Sequence, residues 1–306
     1  MDDLTPLPLP HPLPLPLTSP EARPAPPPGF RHGRFALTLL SDGGLTLGAE
    51  ILMPDADPAA RAATLPRIGG DAAGAPVRAT VPAIRAGAEL IVVDAGAGDA
   101  FQASAGRLAA SLAAAGIDPG AVTRAILTHA HPDHIGGALR PDGTLLFPNA
   151  DWHIGRAERD FWADPRFETR RPAALHGFAR IARRALEAMA PRLHLHDDGD
   201  EAAPGLRMIA TPGHTPGHMS VQLDGPEPLL LVGDACTHDV LFFENPGWRF
   251  GFDADPDLAL ATRRRLLDRA ATERLRLLGY HWTRPGPGRA ERRGAAYRFV
   301  PDGSPS

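Results

Sequence analysis

The chain has 306 residues, of which 43% are hydrophobic and 22% are charged, and its formal net charge is −4. It is long enough to bury a large core, and its slightly acidic balance, without a basic tract, argues against nucleic acid as a partner. The absence of lysine excludes Schiff-base chemistry on a lysine, and the single cysteine, Cys236, excludes an intrachain disulfide.

The first 28 residues contain eleven prolines. Because proline lacks an amide N–H and fixes φ, residues 1–29 are predicted to form an extended or disordered tail. The tail lacks the basic start and apolar helix of a secretory signal, and no apolar run in the chain is about 18 residues long. We therefore expect one folded domain over residues 30–306 and no membrane contact. We expect a cytoplasmic protein, or a periplasmic one only if a leader preceded residue 1.

Hydrophobic patterning predicts strands and helices in order along the rest of the chain. The predicted strands are residues 35–40, 90–93, 125–127, 207–210, 219–223, 229–232 and 275–278. The predicted helices are residues 58–65, 101–115 and 257–271. The arginine run 263–265 is predicted to lie on the solvated face of the last helix. His194 and His196 alternate in a way that predicts a solvent-facing side of a strand.

Four predicted strands are each followed by histidine or aspartate, most densely in THAHPDH, residues 128–134. These strand-end residues are His129, His131, Asp133, His134, His214, Asp234 and His281. Neutral imidazole and carboxylate are the ligands of zinc and also suit iron, manganese or cobalt. Seven candidates exceed one tetrahedral site and suit two metals that share a bridging carboxylate. Such a pair can hold a hydroxide that attacks an ester, lactone or phosphoryl centre.

THAHPDH, TPGHTPGH at residues 211–218, the Gly233–Asp234 pair and a late histidine, in that order, resemble the metallo-β-lactamase fold superfamily. The resemblance extends from about Phe30 to the end of the chain. It implies an α/β (α+β) fold, an αββα sandwich of two mixed β-sheets flanked by helices, with a dinuclear site along one edge. It also implies that the first metal is bound by His129, His131 and His214, and the second by Asp133, His134 and His281, with Asp234 bridging.

Two further residues are predicted to support these ligands. His218, the second histidine of TPGHTPGH, is expected to orient its loop or a ligand. Asp94, which follows the strand at residues 90–93, is expected to hydrogen-bond a ligand histidine. Asp133 and Asp234 are the predicted catalytic carboxylates. His238 follows Asp234 by four residues and is interpreted either as a donor to the leaving group or as a surface histidine.

Several segments resemble the methyl parathion hydrolase branch of this superfamily: GRLAASLAAAGIDP, FPNADWH, ERDFW, HWTRPGPGR and AAYRFVP. That resemblance implies hydrolysis of aryl phosphotriesters and related activated esters or lactones, by an enzyme that is usually a homodimer. We expect a small-molecule substrate with an apolar or aromatic group. The aromatic residues predicted to line its pocket are Trp152, Trp162, Phe242, Phe243 and Trp282.

The predicted function is thus a dinuclear metal-dependent hydrolase with two divalent ions, zinc by default and iron, manganese or cobalt as alternatives. Two other functions remain open at this point. One is a mononuclear iron enzyme of redox or sulfur chemistry on the same fold. The other is an acyl-homoserine lactonase, a branch that carries a tyrosine shortly after the bridging aspartate, where this chain has residues 235–238, ACTH.

Overall fold

The computed structural model describes residues 27–303. Their strands form two seven-stranded sheets, and helices cover the outer faces of both. This is the αββα sandwich of two mixed sheets predicted from the sequence, and that prediction is confirmed. Of the predicted tail, residues 1–26 lie outside the described residues, and the first strand begins at Gly29.

The first sheet has the order β1-β2-β3-β4-β5-β6-β7. Its strands are β1 (Gly29–His32), β2 (Phe35–Leu47), β3 (Ala75–Ala86), β4 (Glu89–Val93), β5 (Arg124–Ile126), β6 (Asp151–Gly155) and β7 (Leu193–His196). The second sheet has the order β14-β13-β12-β11-β10-β9-β8. Its strands are β8 (Glu201–Ala203), β9 (Leu206–Ala210), β10 (Met219–Leu223), β11 (Leu229–Gly233), β12 (Arg276–Gly279), β13 (Gly288–Arg293) and β14 (Ala296–Pro301).

The α-helices connect these strands outside the sheets. They are α1 (Ala49–Leu52), α2 (Pro58–Thr64), α3 (Leu108–Ala114), α4 (Pro132–Ile135), α5 (Arg156–Ala163), α6 (Phe167–Arg170), α7 (His176–Met189), α8 (Leu241–Glu244) and α9 (Pro256–Glu273). Among residues 27–303, no helix combines the length and the apolar character needed to cross a membrane.

Parallel pairing brings the important loops to one edge of the sandwich. Strands β4, β5 and β6 are parallel neighbours, so Val93 and Ile126 end side by side. In the second sheet β11 and β12 are parallel, with Gly233 opposite Gly279. Because the carboxyl ends of parallel strands meet at the same edge, the loops that follow them converge there.

Side-chain alternation divides the core into layers. Ile91 and Val93 of β4 pack between the two sheets, whereas Leu90 and Val92 face the helices that cover the first sheet. A third cluster lies between the second sheet and α9 and includes Leu277 and Leu267. The sheets are therefore held together by apolar packing over most of their area, which leaves their edge free to carry polar side chains.

Two predicted elements differ from the observed ones around Asp42. Strand β2 was predicted to end at residue 40, but it continues to Leu47 through a β-bulge between Ser41 and Gly43. Helix α3 was predicted from residue 101 but begins at Leu108. The buried Asp42 carboxylate accepts the N–H groups of Ala97, Gly106 and Leu108, at 2.8, 3.1 and 2.8 Å. These bonds hold the residues before Leu108 in a loop, so α3 begins later than predicted.

Arg264 and Arg265 are exposed as predicted, but two other predicted surface positions, Arg263 and His196, are buried, and the prediction is wrong for these two. Arg263 on α9 is fully buried, because its guanidinium lies over the Phe242 ring and 3.4 Å from Asp253. His196 on β7 is buried because its Nε2 contacts Nδ1 of His153 on the neighbouring strand, at 2.8 Å. His194, by contrast, is exposed as predicted.

Candidate metal centre

The predicted ligand residues all lie at the edge where the loops converge. His129 and His131 follow β5, and Asp133 and His134 lie on the short helix α4. The second sheet provides the others from three loops: His214 between β9 and β10, Asp234 after β11, and His281 after β12. They form three overlapping clusters whose ligand atoms lie within 4.8 Å of one another. The clusters together support a site for two divalent metal ions.

The first group consists of His129, His131 and His214, all buried. Nε2 of His129 lies 3.1 Å from Nδ1 of His131, which lies 2.9 Å from Nε2 of His214. Burial and the neighbouring imidazoles hold the pKa of both His129 and His131 well below its ordinary value. These two rings are therefore neutral, as metal coordination requires.

The other nitrogen of two of these rings shows which atom carries the proton. His214 Nδ1 lies 3.0 Å from a carboxylate oxygen of Asp253, and His129 Nδ1 lies 3.1 Å from the Thr128 hydroxyl. Each Nδ1 is therefore the N–H donor, which leaves a lone pair on each Nε2. Converging lone pairs repel one another unless a cation lies between them, so this geometry fits a metal ion.

The second group consists of Asp133, His134 and His281, and Asp234 lies between the two groups. His281 Nε2 lies 3.1 Å from Asp133 and 3.5 Å from Asp234. Oδ2 of Asp234 is also 3.3 Å from Nε2 of His214, and its Oδ1 is 3.6 Å from Nε2 of His134. Asp234 therefore faces ligand nitrogens of both groups, as a bridging carboxylate would.

Two buried candidate ligand atoms, one in the second group and one on Asp234, have no hydrogen-bond partner among the described residues. They are Nε2 of His134 and Oδ1 of Asp234. An unpaired buried polar atom costs about 1–3 kcal/mol, so both atoms fit a role as metal ligands. Burial opposes ionisation of Asp234, but His281 and His134 outweigh it and hold its pKa well below the ordinary range. These residues thus favour the binding of cations.

Asp94 supports both groups of ligands. Its carboxylate accepts the Thr128 N–H at 2.8 Å and the Thr128 hydroxyl at 3.0 Å, and it lies 2.9 Å from Nδ1 of His134. Asp94 is one of two non-glycine residues with positive φ among residues 27–303, at 67°. A left-handed aspartate is uncommon, and such strain concentrates at functional sites. The contact with a ligand histidine is the one predicted from the sequence.

We expect Asp94→Asn to lower the metal affinity of the second group by about 10–100-fold. Asparagine tolerates the left-handed backbone, but its amide cannot accept all of the donors around Asp94. The His134 ring would then lose the partner that fixes its proton on Nδ1. A competition titration against a chromophoric chelator measures this affinity. The exposed Asp224→Asn should keep wild-type affinity, and equal affinities in both variants would contradict the role of Asp94.

His218 acts on the backbone of Asp234. Its Nδ1 lies 2.8 Å from the Thr211 hydroxyl, and its Nε2 accepts the Asp234 N–H at 3.0 Å. The preceding Gly233 has φ of 50°, and a Cβ there would lie 2.7 Å from Nε2 of His218. Glycine is therefore required for the ring to approach the strand so closely. These contacts join the His218 ring to the backbone of Asp234 and to Thr211.

His238 is buried and does not line the cavity beside the ligands. Its Nδ1 accepts the N–H groups of Val240 and Leu241, at 3.1 and 3.4 Å. Burial lowers its pKa to about 4, although Asp239 opposes this effect. The interpretation of His238 as a surface histidine is therefore wrong. Its Nδ1 contacts the start of α8, and its side chain does not border the cavity beside the ligands.

The aromatic residues predicted to line the pocket lie in the cores instead. Trp152, Trp162, Phe242, Phe243 and Trp282 are all almost completely buried. Trp162 packs its edge against the His131 ring, and the Trp282 indole N–H donates to the Cys236 carbonyl. Phe243 lines a different cavity, beside Asp239. Proximity to a ligand along the chain does not fix the direction of a side chain, which is why this prediction is wrong.

The cavity beside the ligands has a volume of about 20 Å³ and is bordered by other aromatic residues. These are Phe101, Phe178, Phe250 and Phe252. Phe178 packs its edge on the His131 ring, and Phe250 stacks on the His214 ring. They come from two separate loops and α7. Phe250 and Phe252 belong to the aromatic-rich stretch WRFGF at residues 248–252. Nothing in the local sequence around Phe101 or Phe178 indicates that they border a cavity.

Glu158 on α5 connects the two histidine loops. Its Oε1 accepts the Ala130 N–H at 2.9 Å, and its Oε2 accepts the Thr215 hydroxyl at 2.6 Å and the Gly217 N–H at 3.1 Å. The Trp162 indole N–H also donates to Oε1, at 2.6 Å. This role of Glu158 was not predicted, because Glu158 lies 28 residues from Ala130, on a helix whose other charged residues are not buried.

Comparison with known proteins supports the same interpretation. The sequence profile described as the metallo-beta-lactamase superfamily matches residues 80–281. An N-acyl homoserine lactonase of a Bacillus species is 32% identical over 155 residues, which cover 49% of this chain and 52% of that protein. The chain thus spans about half the length of the curated relatives it matches.

Two solved structures resemble nearly the whole chain. One is AidC, described as a dizinc quorum-quenching lactonase in complex with a product, with a TM-score of 0.83 and 27% identity. The other is AbOPH, described as a hydrolase in the beta lactamase superfamily, with the same TM-score and identity. Each alignment covers 91% of this chain and 98% of the other. On its ligand pattern, its sandwich and the profile match, the chain belongs to the metallo-beta-lactamase superfamily.

Proposed function

We propose that the protein is a dinuclear metal-dependent hydrolase that opens lactones or cleaves related carboxylic esters, with zinc as its metal. The observation that carries this proposal is the position of Asp234, whose two oxygens face ligand nitrogens of both groups. The lactonase names of its relatives, one of them dizinc, support the substrate class and the metal. Nitrogen and carboxylate ligands also suit zinc.

In this proposal His129, His131 and His214 would hold one ion, Asp133, His134 and His281 would hold the other, and Asp234 would contribute to both sites. Two such ions supply Lewis acidity toward the substrate oxygen and lower the pKa of a water molecule into the neutral range. The cavity of about 20 Å³ beside these residues has room for about one water molecule.

Asp133 is the carboxylate best placed to hold the proton that this water loses. It borders the cavity, and 12% of its side chain is exposed, against 5% for Asp234. Burial raises the pKa of Asp133, but His134 and His281 lower it more, to about 2, so it begins the reaction ionised. The water oxygen forms a bond to the carbonyl carbon, the C–O bond to the leaving oxygen breaks, and the proton held by Asp133 passes to that oxygen. The products are a carboxylic acid and an alcohol, which are parts of one molecule when the substrate is a lactone.

The phenylalanine side chains around the cavity restrict water and favour an apolar substrate. Phe250 stacks 5.9 Å from the His214 ring, and Phe178 and Phe252 pack on each other. A low-dielectric surrounding strengthens the electrostatic interactions of the site. We therefore assign the apolar part of the lactone or ester to this aromatic side of the cavity. The homodimer and the cytoplasmic location remain predictions.

The first test compares four substrates on zinc-loaded protein: an aliphatic lactone, an acyl-homoserine lactone, an aryl ester and an aryl phosphotriester. We expect lactone or ester turnover well above that of the phosphotriester. Removing the metal with a chelator should abolish turnover, and zinc should restore it. Phosphotriester turnover above the others would overturn the substrate class. Full activity in metal-free protein, or a single iron with oxygen-dependent turnover, would overturn the mechanism.

A further inference from the structure

A second and much larger cavity lies next to the metal centre. Its volume is about 480 Å³, within the usual 300–1,000 Å³ of small-molecule sites. It is bounded by the loop that follows β4, by the start of α3 and by residues 137–146. Phe101 lines both this cavity and the one beside the ligands, so a single half-buried side chain is common to the two spaces.

Apart from the exposed carboxylate of Asp99, which has no hydrogen bond among the described residues, the polar groups around the large cavity are already engaged with the protein. Asp42 accepts three backbone N–H groups. The two ends of the Gln102 amide bond the N–H and C=O of Thr46, at 2.9 and 3.0 Å. Arg140 donates to the carbonyls of Leu145 and Leu146, and Arg107 donates to that of Ala103. A charged ligand would therefore find few free partners there.

Except for Asp99, the side chains that remain available in the large cavity are apolar. They include Phe101, Ala103, Leu108, Leu139, Pro141 and Leu146. The lining thus combines an apolar surface with one exposed carboxylate and with polar groups that are already bonded. This combination suits a flexible hydrocarbon, which gains free energy from burial and needs no hydrogen bond.

The small cavity cannot hold a whole substrate. Its volume of about 20 Å³ accommodates only a group of about the size of water. A substrate that reacts beside Asp133 and Asp234 must therefore place the rest of its structure beyond the phenylalanine side chains that border the small cavity. Phe101 contacts Phe178 edge-on, with ring centroids 6.1 Å apart. A rotamer change of this half-buried ring would join the two spaces without a change in the sheets.

We propose that the large cavity binds the straight acyl chain of the substrate, and that Phe101 is the side chain that separates this subsite from the metal centre. This inference rests on the proposed hydrolase function. It assigns the substrates to esters or lactones of linear, medium-length acids rather than to compact aryl esters.

The test uses full-length, zinc-loaded protein and p-nitrophenyl esters of butyric, hexanoic, octanoic and decanoic acid. Each added methylene should raise kcat/KM by about fourfold, which corresponds to about 0.8 kcal/mol of burial.

Ala109→Trp places a large side chain in the cavity from an exposed position of α3. We expect this variant to lose most of the increase in kcat/KM with acyl-chain length. Ala110→Trp is the matched control, on the next exposed residue of α3 and outside the cavity lining.

Binding without turnover gives a second readout. Calorimetric titration of metal-free protein with decanoate should show binding in the wild type and in Ala110→Trp, weakened at least tenfold in Ala109→Trp. Equal chain-length dependence in the two tryptophan variants, or equal decanoate affinity, would overturn the subsite. Failure to hydrolyse any ester or lactone with two ions bound would overturn the proposed function instead, while the decanoate titration would still test the cavity.

Discussion

Asp234→Asn is expected to lower kcat/KM by about 10³-fold, the order of effect found when a charged or polar group is removed from a reacting centre. Asparagine has nearly the same shape, so packing is preserved while one negative charge is lost. That charge faces Nε2 atoms of His134, His214 and His281, at 3.6, 3.3 and 3.5 Å. Without it, two cations would lie close together with less compensation, and bound metal should fall from two ions per chain toward one.

Steady-state kinetics and metal analysis by mass spectrometry test this expectation on the same sample. The matched control is Asp224→Asn, an exposed carboxylate away from the site, which should keep two ions and wild-type turnover. Circular dichroism distinguishes loss of the site from loss of the fold. If Asp234→Asn retained two ions per chain and wild-type kcat/KM, Asp234 would not be the bridging residue.

Glu158→Gln is expected to reduce both stability and metal binding. The four donors around Glu158 require that both of its oxygens accept, and burial raises its pKa against the effect of these bonds. Glutamine keeps one accepting oxygen and points an NH₂ group at the donors on the other side. Leaving buried donors unpaired costs about 1–3 kcal/mol each. We therefore expect the free energy of unfolding to fall by about 2–4 kcal/mol.

Metal affinity should fall as well, by about 10–100-fold in the group that contains His129, His131 and His214. Glu158 fixes Ala130, between two of these ligands, and Thr215, next to the third. Urea unfolding of the metal-free chain isolates the stability effect, and a chelator competition isolates the binding effect. Glu187→Gln, an exposed change on α7, should alter stability by less than about 0.5 kcal/mol. If Glu158→Gln kept the wild-type free energy of unfolding and the wild-type metal affinity, Glu158 would not be the residue that positions the two loops.

The ligands were predictable because their signal is local. His129, His131, Asp133 and His134 lie within one turn and one short helix, and Asp234 and His281 each follow an apolar strand. Strand ends can be read from hydrophobic runs, and parallel strands bring such ends together. The same runs predicted seven of the fourteen strands, whereas the sandwich of two sheets followed only from the resemblance of the ligand motifs to a known superfamily.

Two other supporting residues, Glu158 and Asp253, were not predictable because their partners are distant in sequence. Glu158 contacts loops 28 and 57 residues away, and Asp253 contacts His214 from 39 residues away. The prediction of the aromatic residues that line the pocket was wrong for a related reason. Trp152 lies on β6, where alternation directs it to the helix side of the sheet, into a core with Phe147. Predicting that direction requires the register of β6 against β5.

The ligands come from both sheets, and this has a consequence for folding. His129, His131, Asp133 and His134 follow a strand of the first sheet, whereas His214, Asp234 and His281 follow strands of the second. Ions bound by both sets act as cross-links between the two halves of the chain, and their binding free energy adds to that of folding. At a free ion concentration 1,000 times the dissociation constant this contribution is about 4 kcal/mol per ion. A supply of metal is therefore expected to stabilise the folded chain, in addition to supporting the proposed hydrolysis.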